Sequence, residues 1–151
     1  MDRILQYLIV LGISLAPVSE QRGGIIYGLG MGLNPWAVLV IAIGSNILTL
    51  IPVFWILRKT KFRAWLLKVF GKNAQKHIHE NKKFQIYEEL ALMAFVAVPV
   101  PFTGCYMGAL ISEILGWNWK KSFIAISAGV AISGIIVFLA AEGIISLIGL
   151  I

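Results

Sequence analysis

The chain alternates long and short apolar runs, broken by brief polar or proline-containing segments. Crossing hydrocarbon about 30 Å thick takes about 20 helical residues at about 1.5 Å each. Two runs are long enough: residues 36–57, free of charge, and residues 122–141, which end before Glu142. Four others, residues 4–16, 23–33, 90–98 and 105–112, are too short to cross. They fall in two pairs, joined by Pro17-Val18-Ser19-Glu20-Gln21-Arg22 and by Pro99-Val100-Pro101-Phe102-Thr103-Gly104. Proline lacks an N–H and disfavours helix in the residue before it, so each pair predicts two half-helices that enter the bilayer and return.

The order hairpin, turn, full span occurs twice. At an offset of 84, Pro17 meets Pro101, Gly24 meets Gly108, Gly32 meets Gly116 and Asn34 meets Asn118, while Gly44 meets Gly129 after one inserted residue. The expected fold is an all-α integral membrane protein, one membrane domain over residues 1–151. It contains two inverted repeats, 1–57 and 84–151, each a re-entrant half-helix hairpin followed by one transmembrane helix, with hairpin tips near mid-membrane. In the linker, residues 58–83, Phe62, Trp65, Leu66, Val69 and Phe70 recur at helical spacing. That pattern predicts a basic amphipathic helix lying in the interface.

Composition identifies the solvent. Of 151 residues, 59% are apolar and only 13% are charged, against roughly 25% charged in soluble domains. A chain of this size cannot hide so much apolar surface from water, which excludes a soluble globule. The net charge of +6 is concentrated, with nine of the thirteen Lys and Arg between residues 58 and 83. That is the mark of a cytoplasmic loop rather than a nucleic-acid surface, so a multi-pass protein of the cell membrane is expected and nucleic acid is not. The same orientation returns the second hairpin to the cytoplasm and puts Lys120 and Lys121 inside, making eleven of thirteen. The single cysteine, Cys105, excludes an internal disulfide and a cysteine-based metal cage. Residues 4–16 have the look of a signal-peptide core, but Asp2 and Arg3 give no positive excess before it and the apolar sequence continues, so retention is expected.

Glu20 and Arg22 are the sharpest chemical signal, because a central arginine costs about 3 kcal/mol on insertion scales and should face protein or water with a partner. In an extended turn, residues two apart point to the same side. Two readings follow: an ion pair that pins the turn, or an Arg22 that receives an anionic group while Glu20 orients it or carries a proton. Gly23, Gly24 and Gly104 are expected to open half-helices whose free N–H groups make an anion site, with Thr103 capping the second and Pro99 and Pro101 shaping its tip. Ser19, Asn46 and Cys105 are candidates to line a pathway, and Asn46 alternatively joins helices by hydrogen bonding. Glu113 and Glu142 are expected near the interfaces, reaching water. His77 and His79 lie in a polar loop, and Trp36, Trp55, Trp117 and Trp119 fit interfacial belts. No nucleotide-binding loop, zinc motif or nucleophile elbow is present, so neither enzyme, metal nor cofactor is expected.

Pro17-Val18-Ser19-Glu20-Gln21-Arg22-Gly23-Gly24-Ile25 resembles the signature of the small multi-drug export protein family, usually P-[IV]-S-E-L-R-G-[AG]-I-P. Phe95-Val96-Ala97-Val98-Pro99-Val100-Pro101-Phe102-Thr103-Gly104-Cys105-Tyr106-Met107-Gly108-Ala109-Leu110 resembles its second signature, FVAxPxPGTGAWTGAL. Departures are Ile26 where Pro is common, Phe102 for Gly, and Cys105-Tyr106 for Ala-Trp. The family is similar to the wider DedA-like membrane proteins, whose paired hairpins are associated with moving polyprenyl-phosphate and phospholipid carriers. The resemblance therefore implies a secondary transporter or flippase for an anionic lipid-phosphate or small organic anion, held by Arg22 and the half-helix N-termini and coupled to protons or sodium. Alternatives are an exporter of organic cations with Glu20 as counter-charge, and a non-transporting membrane scaffold. A homodimer is expected, packed through the small-residue face that carries Gly129 and Gly134.

Overall fold

The computed structural model describes residues 2–59, 64–65, 68, 82–100 and 104–149. Among these, six helices are present: α1 (Arg3–Leu15), α2 (Glu20–Gly30), α3 (Pro35–Lys59), α4 (Lys82–Ala97), α5 (Cys105–Leu115) and α6 (Trp119–Ile148). No strand occurs among the described residues. With 25 and 30 residues and hydropathies of 2.3 and 2.5, α3 and α6 are long and apolar enough to cross a membrane. At about 1.5 Å per residue they extend about 38 and about 45 Å. The interfacial helix expected around Phe62 to Phe70 lies outside the described residues, apart from Ala64, Trp65 and Lys68.

Element boundaries differ from the apolar runs in three places. α2 begins at Glu20 rather than at residue 23, α4 begins at Lys82 rather than at residue 90, and α6 passes through Glu142 to Ile148. The runs mark where side chains are apolar, whereas helix ends are set by backbone hydrogen bonding, which polar residues such as Glu20, Lys82 and Glu142 continue as well as apolar ones.

The order of elements recurs in local detail. α2 and α5 are 11 residues each. Each is followed by a glycine in the left-handed region, Gly32 with φ 66° and Gly116 with φ 72°, where any side chain would be strained. Next comes an asparagine whose Oδ1 caps the long helix: Asn34 accepts from the Ala37 N–H at 3.2 Å and Asn118 from the Lys120 N–H at 3.0 Å.

Two apolar clusters hold the helices together. One joins Val10, Ile25 and Leu29 of α1 and α2 to Val38 and Ala42 of α3 and Phe138 of α6. The other joins Leu92, Val96, Cys105 and Ala109 of α4 and α5 to Leu50, Phe54 and Leu57 of α3 and Ala125, Ile126 and Val130 of α6. The first half of α3 thus meets the second half of α6 and the reverse, so these helices run antiparallel. Polar contacts fix the ends. Glu89 of α4 bridges Lys121 at 3.0 Å, and Glu113 of α5 meets Arg58 at 3.7 Å. The middle of α4 and the end of α5 thereby lie where α3 stops and α6 starts. At the opposite end, the Tyr7 hydroxyl accepts from the Asn34 N–H at 3.2 Å, so the α1–α2 unit starts and finishes there.

The surface is apolar and much of the interior polar. Val40, Leu48, Ile124 and Leu139 are each at least 63% exposed, while Ser14, Glu20, Gln21, Asn46, Ser112 and Glu113 are buried. Lipid rewards this distribution, because outward apolar faces cost nothing there and polar groups must find partners inside. Glu113 therefore does not reach water as expected; it is buried against Arg58. The glycines proposed for dimer packing are also used within the chain: a Cβ on Gly129 would lie 2.7 Å from the Met93 carbonyl oxygen, and one on Gly134 would lie 2.7 Å from Ile43.

Candidate functional site

The segment after α4 leaves carbonyl groups without helical partners, and the start of α5 leaves N–H groups without acceptors. Both sets are satisfied by the turn between α1 and α2. Glu20 is the sole described non-glycine residue with positive φ, at 49°, a conformation that costs about 1 kcal/mol for an ordinary side chain. It buries its carboxylate at the N-terminus of α5, where the backbone N–H groups of Cys105 and Tyr106 donate to it. Gly104, the N-cap residue, has no side chain to cap with, and a Cβ there would fall on the Glu20 carboxylate. An acidic group is favoured at this place by the helix dipole as well as by the hydrogen bonds.

Arg22, two residues on, serves the other polarity. Its Nη1 donates to the Val100 carbonyl and its Nη2 to the Val98 carbonyl at 3.4 Å, at the end of α4. Its Nε is buried and has no acceptor among the described residues. Glu20 and Arg22 therefore diverge, one to each side of the opposite break, although each still lies within the other's field. The second break returns the contact. The Tyr106 hydroxyl, which stands 84 positions after Arg22, donates at 2.5 Å to the Leu15 carbonyl at the end of α1.

Several expected site residues have other local duties. Because α2 opens at Glu20, Gly23 is not one of its free donors; its N–H bonds the Ser19 carbonyl at 3.0 Å. Gly23 and Gly24 instead let α2 approach α1: a Cβ on Gly23 would lie 2.9 Å from Ile13 Cγ2, and one on Gly24 would lie 2.9 Å from the Val10 carbonyl oxygen. Ser19 does not cap α2 by its side chain; its hydroxyl donates to the Ile13 carbonyl at 2.7 Å. Asn46 is fully buried and donates to the Ser14 carbonyl at 3.3 Å, joining α3 to the end of α1. Cys105 is buried and free. Pro99 faces a shallow apolar groove of about 420 Å³ with Ile26, Gly30 and Ile136. Pro101 and Thr103 lie outside the described residues. The structure thus brings Glu20, Arg22, Gly104 and Cys105 together.

Gln21 is the residue that sequence reading passes over. Its Nε2 donates at 3.0 Å to the Val130 carbonyl, in the middle of α6, and its Oε1 is buried without a partner among the described residues. The family signature carries Leu at this position, which offered a signal. Gln21→Leu should change stability by less than about 1 kcal/mol, because the lost bond is offset by removal of an unsatisfied buried oxygen. The midpoint of unfolding in mixed micelles measures this; a loss of about 3 kcal/mol would show that the Val130 contact is a principal tie between the halves.

No curated protein and no solved structure matches the chain. The sequence profile of one family, described as "Putative small multi-drug export protein", matches residues 20–136, beginning at Glu20 and taking in α2, α3, the second break, α5 and the first part of α6. This membrane protein therefore belongs to that small multi-drug export family.

Proposed function

We propose that the protein is a secondary transporter in which the α1–α2 and α4–α5 units are re-entrant hairpins of two inverted repeats, and that an anion binds where the two breaks meet. The α1–α2 unit is tied to one end of the antiparallel α3 and α6 and the α4–α5 unit to the other, which supports the inverted arrangement. By the positive-inside rule, the end carrying Arg58, Lys59, Lys120 and Lys121 faces the cytoplasm.

The observation that carries the anion reading is Arg22. Its Nε is a buried donor with no acceptor among the described residues, and its other nitrogens rest on carbonyl groups, weaker acceptors than a phosphate or carboxylate. Glu20 acts as an internal anion in the empty state. An incoming group displaces it from the Cys105 and Tyr106 N–H groups and takes Arg22 from Val98 and Val100, releasing the ties between the repeats so that they rock. Gly104 keeps that place open, because any side chain there would fill it. Substrates are an anionic lipid-phosphate or a small organic anion, with proton or sodium coupling.

In proteoliposomes, Arg22→Gln should reduce uptake of a fluorescent lipid-phosphate or organic anion at least 100-fold, about 3 kcal/mol, while Arg22→Lys keeps part of it. Cation efflux that survives Arg22→Gln and is lost in Glu20→Gln would overturn this in favour of cation export. The complete use of Glu20 in capping supports a second reading, a non-transporting scaffold in which the tip is a staple. Absence of flux under every gradient from well-folded protein would establish the scaffold instead.

A further inference from the structure

Away from the helix breaks, an apolar cleft of about 350 Å³ opens where α3 stops and α6 starts. Ile51, Phe54, Trp55, Trp119 and Phe123 wall it, and Arg58 and Lys59 stand on its rim. Each cation is placed by an indole: Arg58 is 5.5 Å from the Trp119 ring centroid, Lys59 is 4.8 Å from that of Trp55, and Lys120 is 5.9 Å from that of Trp119. The ion pairs at this end, among the described residues, are Arg58 with Glu113 and Lys121 with Glu89, and neither Lys59 nor Lys120 is paired with a described carboxylate.

We propose that this cleft holds a phospholipid with an anionic headgroup. An acyl chain lies along Ile51, Phe54 and Phe123, the indoles sit at headgroup depth, and Lys59, Lys120 and Arg58 hold the phosphate. A choline headgroup carries an ammonium that these three cations repel. A second copy of the chain seated on the same patch by two-fold symmetry would bring like charges together out of water, which is costly without compensating acids. The site is independent of Arg22, which lies at the α1–α2 turn.

The test uses the full chain in bilayers with Trp36, Trp65 and Trp117 replaced by Phe, so that Trp55 and Trp119 report. Brominated phosphatidylglycerol should quench them with at least fivefold higher relative affinity than brominated phosphatidylcholine. Lys59→Gln with Lys120→Gln should bring the ratio below twofold without touching the Arg58 to Glu113 pair. Lys72→Gln with Lys76→Gln, which removes equal charge from the basic linker sequence, should leave it above fourfold, and so should Arg22→Gln. Equal quenching by both lipids would overturn the proposal in favour of ordinary boundary lipid, and failure of either lipid to quench would mean that protein covers the cleft. Equal loss in both lysine pairs would overturn it in favour of diffuse surface attraction, and loss in Arg22→Gln would show that the cleft is not a separate site.

Discussion

Gly104→Ala should destabilise the folded protein by about 3 kcal/mol, far beyond the usual effect of adding one methyl group. The new Cβ occupies the place of the Glu20 carboxylate, so the acid must leave the N–H groups of Cys105 and Tyr106. A buried carboxylate then loses its hydrogen bonds in the same step that uncaps α5. Glu20→Gln is the milder change, at about 1 kcal/mol, because an amide oxygen still accepts one of the two bonds. The decisive comparison is Gly104→Ala in a Glu20→Ala background, where the methyl group has no carboxylate to displace. Most of the penalty should vanish there, and the two effects should be strongly non-additive. Unfolding midpoints in mixed micelles provide the readout. Additive costs, or a Gly104→Ala penalty below about 0.5 kcal/mol, would show that the carboxylate does not hold this helix end.

Gly24→Ala should cost about 2 kcal/mol or more, since the added carbon lands on the Ser14 hydroxyl and lies 2.9 Å from the Val10 carbonyl oxygen. Two backbones meet at this point, and a backbone cannot rotate aside as a side chain can. Separation of α1 from α2 would also strain the turn that carries Glu20 and Arg22. Gly12→Ala and Gly44→Ala serve as controls of opposite sign. Both glycines are helical with open space where the Cβ would go, so each change should stabilise by about 0.5–1 kcal/mol through helix propensity. The same unfolding measurement checks all three. If Gly24→Ala stabilised like its controls, the close approach of α1 and α2 would not be a determinant of the fold.

Much of the architecture is legible because lipid imposes simple demands on sequence. The two uncharged runs gave α3 and α6, and the prolines marked the breaks, since length and backbone donors are local properties. The offset of 84 found Gly32 with Gly116 and Asn34 with Asn118, and these pairs share backbone conformations and capping bonds. A required left-handed turn and a helix cap both demand particular residue types, so they leave a trace in the chain. Helix limits at Glu20 and Lys82 were hidden, because polar residues can continue a helix as well as end one. The small-residue face around Gly129 pointed to a dimer, yet sequence cannot say whether a partner helix comes from the same chain or another.

The chain by itself determined the solvent, the number of long spans, the places where helices break, and that Glu20 and Arg22 are too costly in lipid to be idle. Only the tertiary structure decided what the two charges do. Glu20 reaches a helix start and Arg22 a helix end, both contributed by residues some 80 positions away. A freed N–H or carbonyl group belongs to the backbone and is the same for every residue type. Its position in space, and hence the partner it selects, exists only once the two halves have packed.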